Sequence, residues 1–157
     1  MTFVPHAKAT ERRASAIQLV KVLLQHKDPL VLRAHLRELL TTLLWKLTEA
    51  ESSKYKTRYQ SQAAIERSAG VKLQHEHVYQ RARMIDALLE AEPDQIDEIL
   101  GLAVGCTVTT EEAALLVQFD SDYGWERYRK AGITVLDTKH SPGRPVDLSE
   151  SGLSSSR

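Results

Sequence analysis

Seven leucines recur at helical spacing between Pro29 and Glu49, and this pattern restricts the possible folds more than any other feature. The leucines are Leu32, Leu36, Leu39, Leu40, Leu43, Leu44 and Leu47. Such a stripe predicts an amphipathic helix with one face out of water. The segment from Glu11 to Lys27 has a similar apolar period. Asp28 and Pro29 lie between the two segments and favour the start of the second helix at Pro29. We therefore predict an antiparallel helical hairpin whose leucine stripe is either core or an oligomer interface.

The rest of the chain mixes short helices with short strands. Val- and Thr-rich residues predict a strand over 102–109, and further strands are predicted over 71–78 and 133–137. Residues 133–137 are expected to pair with 102–109. Thr109 and Glu112 have the spacing of a capping box, which predicts a helix beginning there. The predicted fold class is α+β, predominantly α-helical, with a small two- to three-stranded sheet.

Chain length and local composition predict the domain organisation. A chain of 157 residues fits one domain, which we place at residues 11–137. Residues 1–10 are predicted to form a flexible N-terminal arm. Residues 138–157 are rich in Ser, Gly, Pro and charge, which predicts a disordered C-terminal tail.

Cysteine content and hydropathy bear on location. Cys106 is the only cysteine, so an intrachain disulfide is impossible and a reducing compartment is favoured. No apolar run approaches the ~18 residues that a membrane span needs. These features predict a cytoplasmic protein that does not bind a membrane.

The net charge of zero conceals an uneven distribution. Residues 1–83 carry 15 Lys+Arg against 7 Asp+Glu, whereas residues 84–157 carry 6 against 14. Two interpretations follow. The basic half binds an anion such as DNA or RNA, or the two halves neutralise each other within one fold or across a homodimer.

Cations and aromatic side chains alternate just after the predicted hairpin. In an extended segment, Lys54, Lys56 and Arg58 fall on one side, with tyrosines on the other. Cations attract phosphates and aromatic rings stack on bases, so we predict nucleic-acid contacts here, joined by Arg81. The alternative is a solvated loop with its tyrosines in the core.

His75, Glu76 and His77 form the densest group of chemically able side chains. In a strand the two histidines share one face and Glu76 takes the other. Imidazole serves as a general base or a metal ligand, and a carboxylate binds hard cations such as Mg²⁺. The alternative is that all three are structural or helix-capping residues.

The sequence Glu76-His77-Val78 resembles the first signature of the HNH, or ββα-metal, endonucleases. The resemblance covers about 40 residues, and Gln80 stands where the family usually has proline. It implies a nucleic-acid-associated protein that hydrolyses phosphodiesters with a divalent metal, Mg or Mn, or a degenerate relative. Glu76 would be a metal ligand and His77 the general base, with His75 beside it. The helix after the second strand offers Glu112 as a second metal ligand.

A protein of another class is also compatible with the sequence. A non-catalytic interaction or regulatory protein would use the leucine-rich helices to dimerise or bind a protein partner. That interpretation requires leucines between residues 32 and 47 to be exposed on the monomer.

Overall fold

The computed structural model describes residues 3–25 and 28–149, and its first two helices form the predicted hairpin. These helices are α1 (Ala9–Gln25) and α2 (Arg33–Thr48). They run antiparallel, because Arg12 near the start of α1 donates a hydrogen bond to the Ser52 carbonyl beyond the end of α2. The leucine stripe is divided between core and surface: Leu40, Leu44 and Leu47 are buried, Leu36 and Leu43 are half-buried, and Leu32 and Leu39 are exposed.

The second helix begins later than the proline predicts. Asp28 does not cap a helix; its carboxylate accepts a hydrogen bond from the Leu30 amide in a short turn. Leu32 precedes the first helical residue and gives no side-chain cap. The predicted helix end at residues 26 and 27 lies outside the described residues.

The sheet has four strands, so the prediction of a small two- to three-stranded sheet on a predominantly helical chain is wrong. The strands are β1 (Tyr59–Ser61), β2 (Leu73–His77), β3 (Gly105–Thr109) and β4 (Val135–Asp137), in the spatial order β2-β3-β1-β4. The sheet is mixed, because β1 is parallel to β3 while the other pairs are antiparallel. β4 pairs with β1 and not with β3. The chain is therefore a mixed α+β protein.

Five shorter helices complete the described part of the fold. They are α3 (Gln62–Glu66), α4 (Arg81–Glu90), α5 (Ile96–Gly101), α6 (Thr110–Val117) and α7 (Trp125–Lys130). The predicted capping box at α6 is confirmed: the Glu112 amide donates to the Thr109 hydroxyl, and the Glu112 carboxylate accepts from the Thr109 amide. This reciprocal pair satisfies two amides that the first helical turn leaves free.

The core consists of two apolar clusters. The first is formed by α1, α2, α4 and α5, with Leu44 and Leu88 completely buried. The second contains Cys106 and Val108 of β3 together with Trp125 and Tyr128 of α7. Because alternate residues of β3 point to opposite faces, Thr107 faces the other way, where it bonds the Thr57 hydroxyl at 2.8 Å.

Ion pairs connect the basic half of the chain to the acidic half. These pairs are Lys21–Asp97, Arg33–Glu90, Arg37–Asp86 and Arg58–Asp137. Neutralisation within one fold therefore accounts for much of the charge asymmetry.

The most buried of these pairs connects β1 and β4. The Asp137 carboxylate accepts from Nε of Arg58 at 3.0 Å and from Nη2 at 2.5 Å. It also accepts from the backbone amides of Lys139 and His140 at 3.0 and 3.1 Å. One side chain thus holds the end of β4 against the segment that enters β1.

The segments assigned to arm and tail also contact the domain. The His6 amide donates to the Glu51 carbonyl, and the Val146 amide donates to the Val135 carbonyl. The remainder of the predicted tail, 150–157, lies outside the described residues. Among those described, no helix is both long and apolar enough to cross a bilayer.

Candidate functional site

A cleft of about 550 Å³ lies at the free edge of β2. It is bounded by the end of α2, the loop before β1 and the start of α4. The residues that matter to its chemistry are Trp45, Lys54, Tyr55, His75, His77 and Arg81. We call this the edge cleft.

His75 is buried and hydrogen-bonded at both ring nitrogens. Nδ1 lies 2.7 Å from the Lys54 carbonyl, and Nε2 lies 3.0 Å from the Thr48 hydroxyl. Because a carbonyl only accepts, Nδ1 carries the proton and Nε2 accepts. Burial lowers the pKa of His75, and the bond to the Lys54 carbonyl only partly offsets this effect. The arrangement makes His75 a support that holds the Lys54 segment on the cleft wall.

His77 differs from His75 although both lie on the same face of β2. Its side chain is only 7% exposed, yet neither ring nitrogen has a hydrogen-bond partner within the described residues. Its ring packs edge-on against Trp45, with the centroids 4.5 Å apart. Burial, with smaller contributions from His75 and Arg81, lowers the pKa of His77 to about 3. The imidazole is therefore neutral near pH 7 and suits hydrogen bonding better than proton abstraction.

Glu76 points to the opposite face of the sheet. Its carboxylate accepts from the Gln74 amide at 2.8 Å and lies 3.7 Å from the Arg127 guanidinium. Burial raises its pKa, while Gln74 and Arg127 act in the other direction. Strand alternation thus separates Glu76 from His77, as the extended geometry requires.

Glu112 is occupied by the capping box and by Ser61. One carboxylate oxygen accepts from the Thr109 amide at 2.9 Å and from the Ser61 hydroxyl at 2.5 Å. In residues 3–25 and 28–149, no three His, Cys, Asp or Glu side chains are grouped to hold a metal ion. Glu76, His77 and Glu112 therefore do not form the donor set that the endonuclease resemblance implies.

The four predicted phosphate-binding cations have different environments. Lys54 and Arg81 line the edge cleft, and their charged groups lie 5.8 and 5.2 Å from the Trp45 ring centroid. Neither has a carboxylate within ion-pair distance in the part of the chain that the structure describes. Lys56 is exposed outside the cleft lining, and Arg58 is bound to Asp137.

Two aromatic residues complete the cleft. Tyr55 is 44% exposed, with the Lys54 ammonium 5.3 Å from its ring centroid. Trp45 is a site residue that sequence reasoning missed. Its place on α2 beside the leucine stripe indicates a partly exposed ring, but only the tertiary fold brings β2 next to it.

Comparison with protein-family models, curated proteins and solved structures finds no match.

Proposed function

We propose that the protein binds single-stranded nucleic acid in the edge cleft. The observation that carries the proposal is the pair of cations, Lys54 and Arg81, which lack carboxylate partners among the described residues and lie beside Trp45 and Tyr55. Most other basic residues named above are neutralised by acids of the same chain. Cations next to aromatic faces are the usual means of holding a sugar–phosphate backbone while a base stacks.

The size of the cleft favours an unpaired strand over a duplex. Its volume of about 550 Å³ is within the ~300–1,000 Å³ typical of small-ligand pockets. One or two nucleotides fit in such a space. A base held in a duplex cannot reach Tyr55, whereas an unpaired base can turn its face onto the ring.

The proposal is limited to binding. The resemblance at Glu76-His77-Val78 supports a nucleic-acid ligand, but hydrolysis in that family depends on a metal donor set. Glu76 and His77 point to opposite faces of β2, and Glu112 is engaged at the α6 cap. A cytoplasmic location, where such strands occur, is part of the same proposal.

Neutralising a cleft cation should weaken binding. Lys54→Gln and Arg81→Gln are each expected to raise the Kd for a short fluorescent oligonucleotide about five- to tenfold at low salt, because each loses one phosphate contact. Each should also reduce the slope of log K against log salt by about 0.7. Fluorescence anisotropy over a salt series measures both quantities.

Lys56→Gln is the matched control, because Lys56 is an exposed cation two residues from Lys54 but outside the cleft lining. Its Kd should change less than about twofold, as expected of a cation that contacts no phosphate. An equal loss in Lys56→Gln would show that binding follows overall charge and would reject the edge cleft.

Self-association through the hairpin is a second candidate function, favoured by exposed leucines on α1 and α2. Leu19 is 52% and Leu39 is 51% exposed, and Leu19 lines a groove of about 320 Å³ with Leu43. Apolar side chains grouped on two adjacent helices are typical of a protein interface. This function involves a different surface and is compatible with the edge cleft.

Charge on that surface should prevent a dimer. Wild-type protein is expected to sediment as a concentration-dependent dimer, and Leu19→Glu with Leu39→Glu should sediment as a monomer. The physical reason is that a buried, unpaired carboxylate opposes association. Val117→Glu is the control, because Val117 is 65% exposed on α6. A wild-type protein that is monomeric at all concentrations would reject this function.

A further inference from the structure

The start of α4, at the inner end of the edge cleft, lacks the features that normally stabilise a helix N-terminus. Gln80 precedes the helix but provides no side-chain cap, because its amide donates to the carbonyls of Asp120 and Asp122. The first turn contains no acidic residue and instead carries Arg81 and Arg83. Positive side chains at the positive end of the helix dipole are unfavourable without a counter-charge. The first-turn amides of this ten-residue helix are thus available to an anion.

A second and independent observation points to the same place. His77 is 93% buried, being 7% exposed, and lines the cleft with both ring nitrogens unpartnered. A buried polar atom without a partner is costly, so native proteins usually satisfy it with protein, water or ligand. Neutral imidazole supplies one N–H donor, which complements the amides and the Arg81 guanidinium.

We propose that the inner end of the edge cleft, formed by His77, Arg81 and the first turn of α4, is a binding site for a phosphate monoester. This inference rests on the proposed nucleic-acid function and specifies its ligand as a strand that ends in a phosphate. Free phosphate carries the same group, and the test below separates the two sources.

The burial of His77 and the positive charge of the cleft favour a phosphate monoester over an internal phosphodiester. An internal phosphate has chain on both sides and cannot reach a side chain as buried as His77, whereas a terminal phosphate has chain on one side only. A monoester also carries about two negative charges and three terminal oxygens. Arg81, the α4 amides and the His77 N–H provide donors for those oxygens, and Lys54 adds positive charge farther out in the cleft.

The acids nearby reduce this attraction but do not cancel it. Glu76 and Asp120 also line the cleft, but both interact with Arg127, at 3.7 and 2.6 Å. Arg83 donates to the backbone carbonyls of Asp120 and Ser121 and does not line the cleft. Three cations of the lining, Lys54, Arg81 and Arg127, thus face two acids, so the cleft keeps a net positive charge for a ligand.

The test compares three forms of one oligonucleotide, with a 5′-phosphate, a 3′-phosphate or hydroxyls at both ends. Wild-type protein is expected to bind one phosphorylated form about tenfold more tightly than the hydroxyl form, as for a group that gains charge-assisted hydrogen bonds. His77→Phe keeps a ring against Trp45 and should lower that ratio to below about twofold, because it removes the N–H donor. Arg81→Gln, at a half-buried position that belongs to neither apolar cluster, should also lower the ratio. Tyr55→Leu is the control: it should weaken the binding of all three oligonucleotides and preserve the affinity ratio between the phosphorylated and hydroxyl forms.

Inorganic phosphate provides the second arm, monitored by NMR shifts of the Ala82 amide. Saturable shifts in the wild type that are lost in His77→Phe support the site. If phosphate gives these shifts but no oligonucleotide binds, the monoester site is supported and the nucleic-acid function is rejected. If all three oligonucleotides bind equally, the nucleic-acid function stands and the monoester site is overturned. If neither probe binds, both proposals are rejected.

Discussion

Replacing Asp137 with asparagine is expected to lower the free energy of unfolding by about 3 kcal/mol, the size seen when one partner of a buried ion pair is removed. At the end of β4 the Asp137 carboxylate accepts hydrogen bonds from Nε and Nη2 of Arg58, at 3.0 and 2.5 Å, and from the backbone amides of Lys139 and His140. The side chains of Arg58 and Asp137 are only 20% and 10% exposed. Asparagine can still accept from the Lys139 and His140 amides, but it leaves the Arg58 guanidinium without its counter-charge.

Urea denaturation measures this change, and a surface pair provides the control. Asp97 forms an ion pair with Lys21, but its side chain is 66% exposed. Asp97→Asn should therefore cost less than about 1 kcal/mol, as is usual for solvated pairs. If the two substitutions have equal effects, the bond between Arg58 and Asp137 is not structural.

The effect of Asp137→Asn should depend on pH. Burial raises the pKa of Asp137, but the hydrogen bonds from Arg58, His140 and Lys139 outweigh this and lower it from 3.8 to about 2. A carboxylate with a lowered pKa stabilises the fold fully above its unfolded pKa and loses that contribution as the pH falls through the folded pKa. The stability difference between wild type and variant should thus be constant above about pH 4 and shrink between about pH 4 and 2. A difference that stays constant down to pH 2 would contradict the assignment.

Replacing Gly105 with alanine is the second change with a large expected effect, about 2–3 kcal/mol of stability. A Cβ at this position would lie 2.8 Å from Cε1 and Nε2 of His75 and 3.2 Å from Cβ of Thr48. The imidazole cannot move aside without breaking its bonds to the Lys54 carbonyl and the Thr48 hydroxyl. Because those bonds place the Lys54 segment on the edge cleft, oligonucleotide affinity should fall together with stability.

Gly101→Ala is the matched control, because the Cβ it would add at the end of α5 meets nothing within 4 Å apart from its chain neighbours and the backbone of its own helix. It should leave stability unchanged or raise it by up to about 1 kcal/mol. In a His75→Ala background the ring is absent, so Gly105→Ala should cost much less than it does in the wild type. Equal costs in the two backgrounds would show that the imidazole is not the obstacle.

Local patterns predicted those parts of the fold that local physics determines. The apolar period identified α1 and α2, and the Thr109–Glu112 spacing identified the start of α6. β1 was missed, because its three residues, Tyr59–Ser61, are stabilised by pairing with distant β3 and β4 rather than by their own propensity. The predicted pairing of β4 with β3 was wrong for the same reason, since a strand's partner depends on contacts that sequence spacing does not encode.

The candidate site was predictable to a similar extent. Strand alternation correctly placed His75 and His77 on one face, where both contact Trp45. Sequence could not distinguish their environments, because the Thr48 hydroxyl and the Lys54 carbonyl reach His75 only through tertiary packing. The same limit applied to Arg58, whose charge is paired with a residue far along the chain.

The place of β1 between β3 and β4 sets the order in which this sheet can assemble during translation. α1 and α2 are adjacent in sequence and can pack as soon as both have left the ribosome. β1 can pair with β3 once that strand is made, but its other partner β4 follows later, because a ribosome adding ~5–20 residues per second reaches β4 about 4 to 15 s after β1. Until β3 has been made, Gln60 and Ser61, which are buried in the finished sheet, have no strand partner and remain in water. The nascent protein is therefore a helical hairpin that carries an unpaired strand.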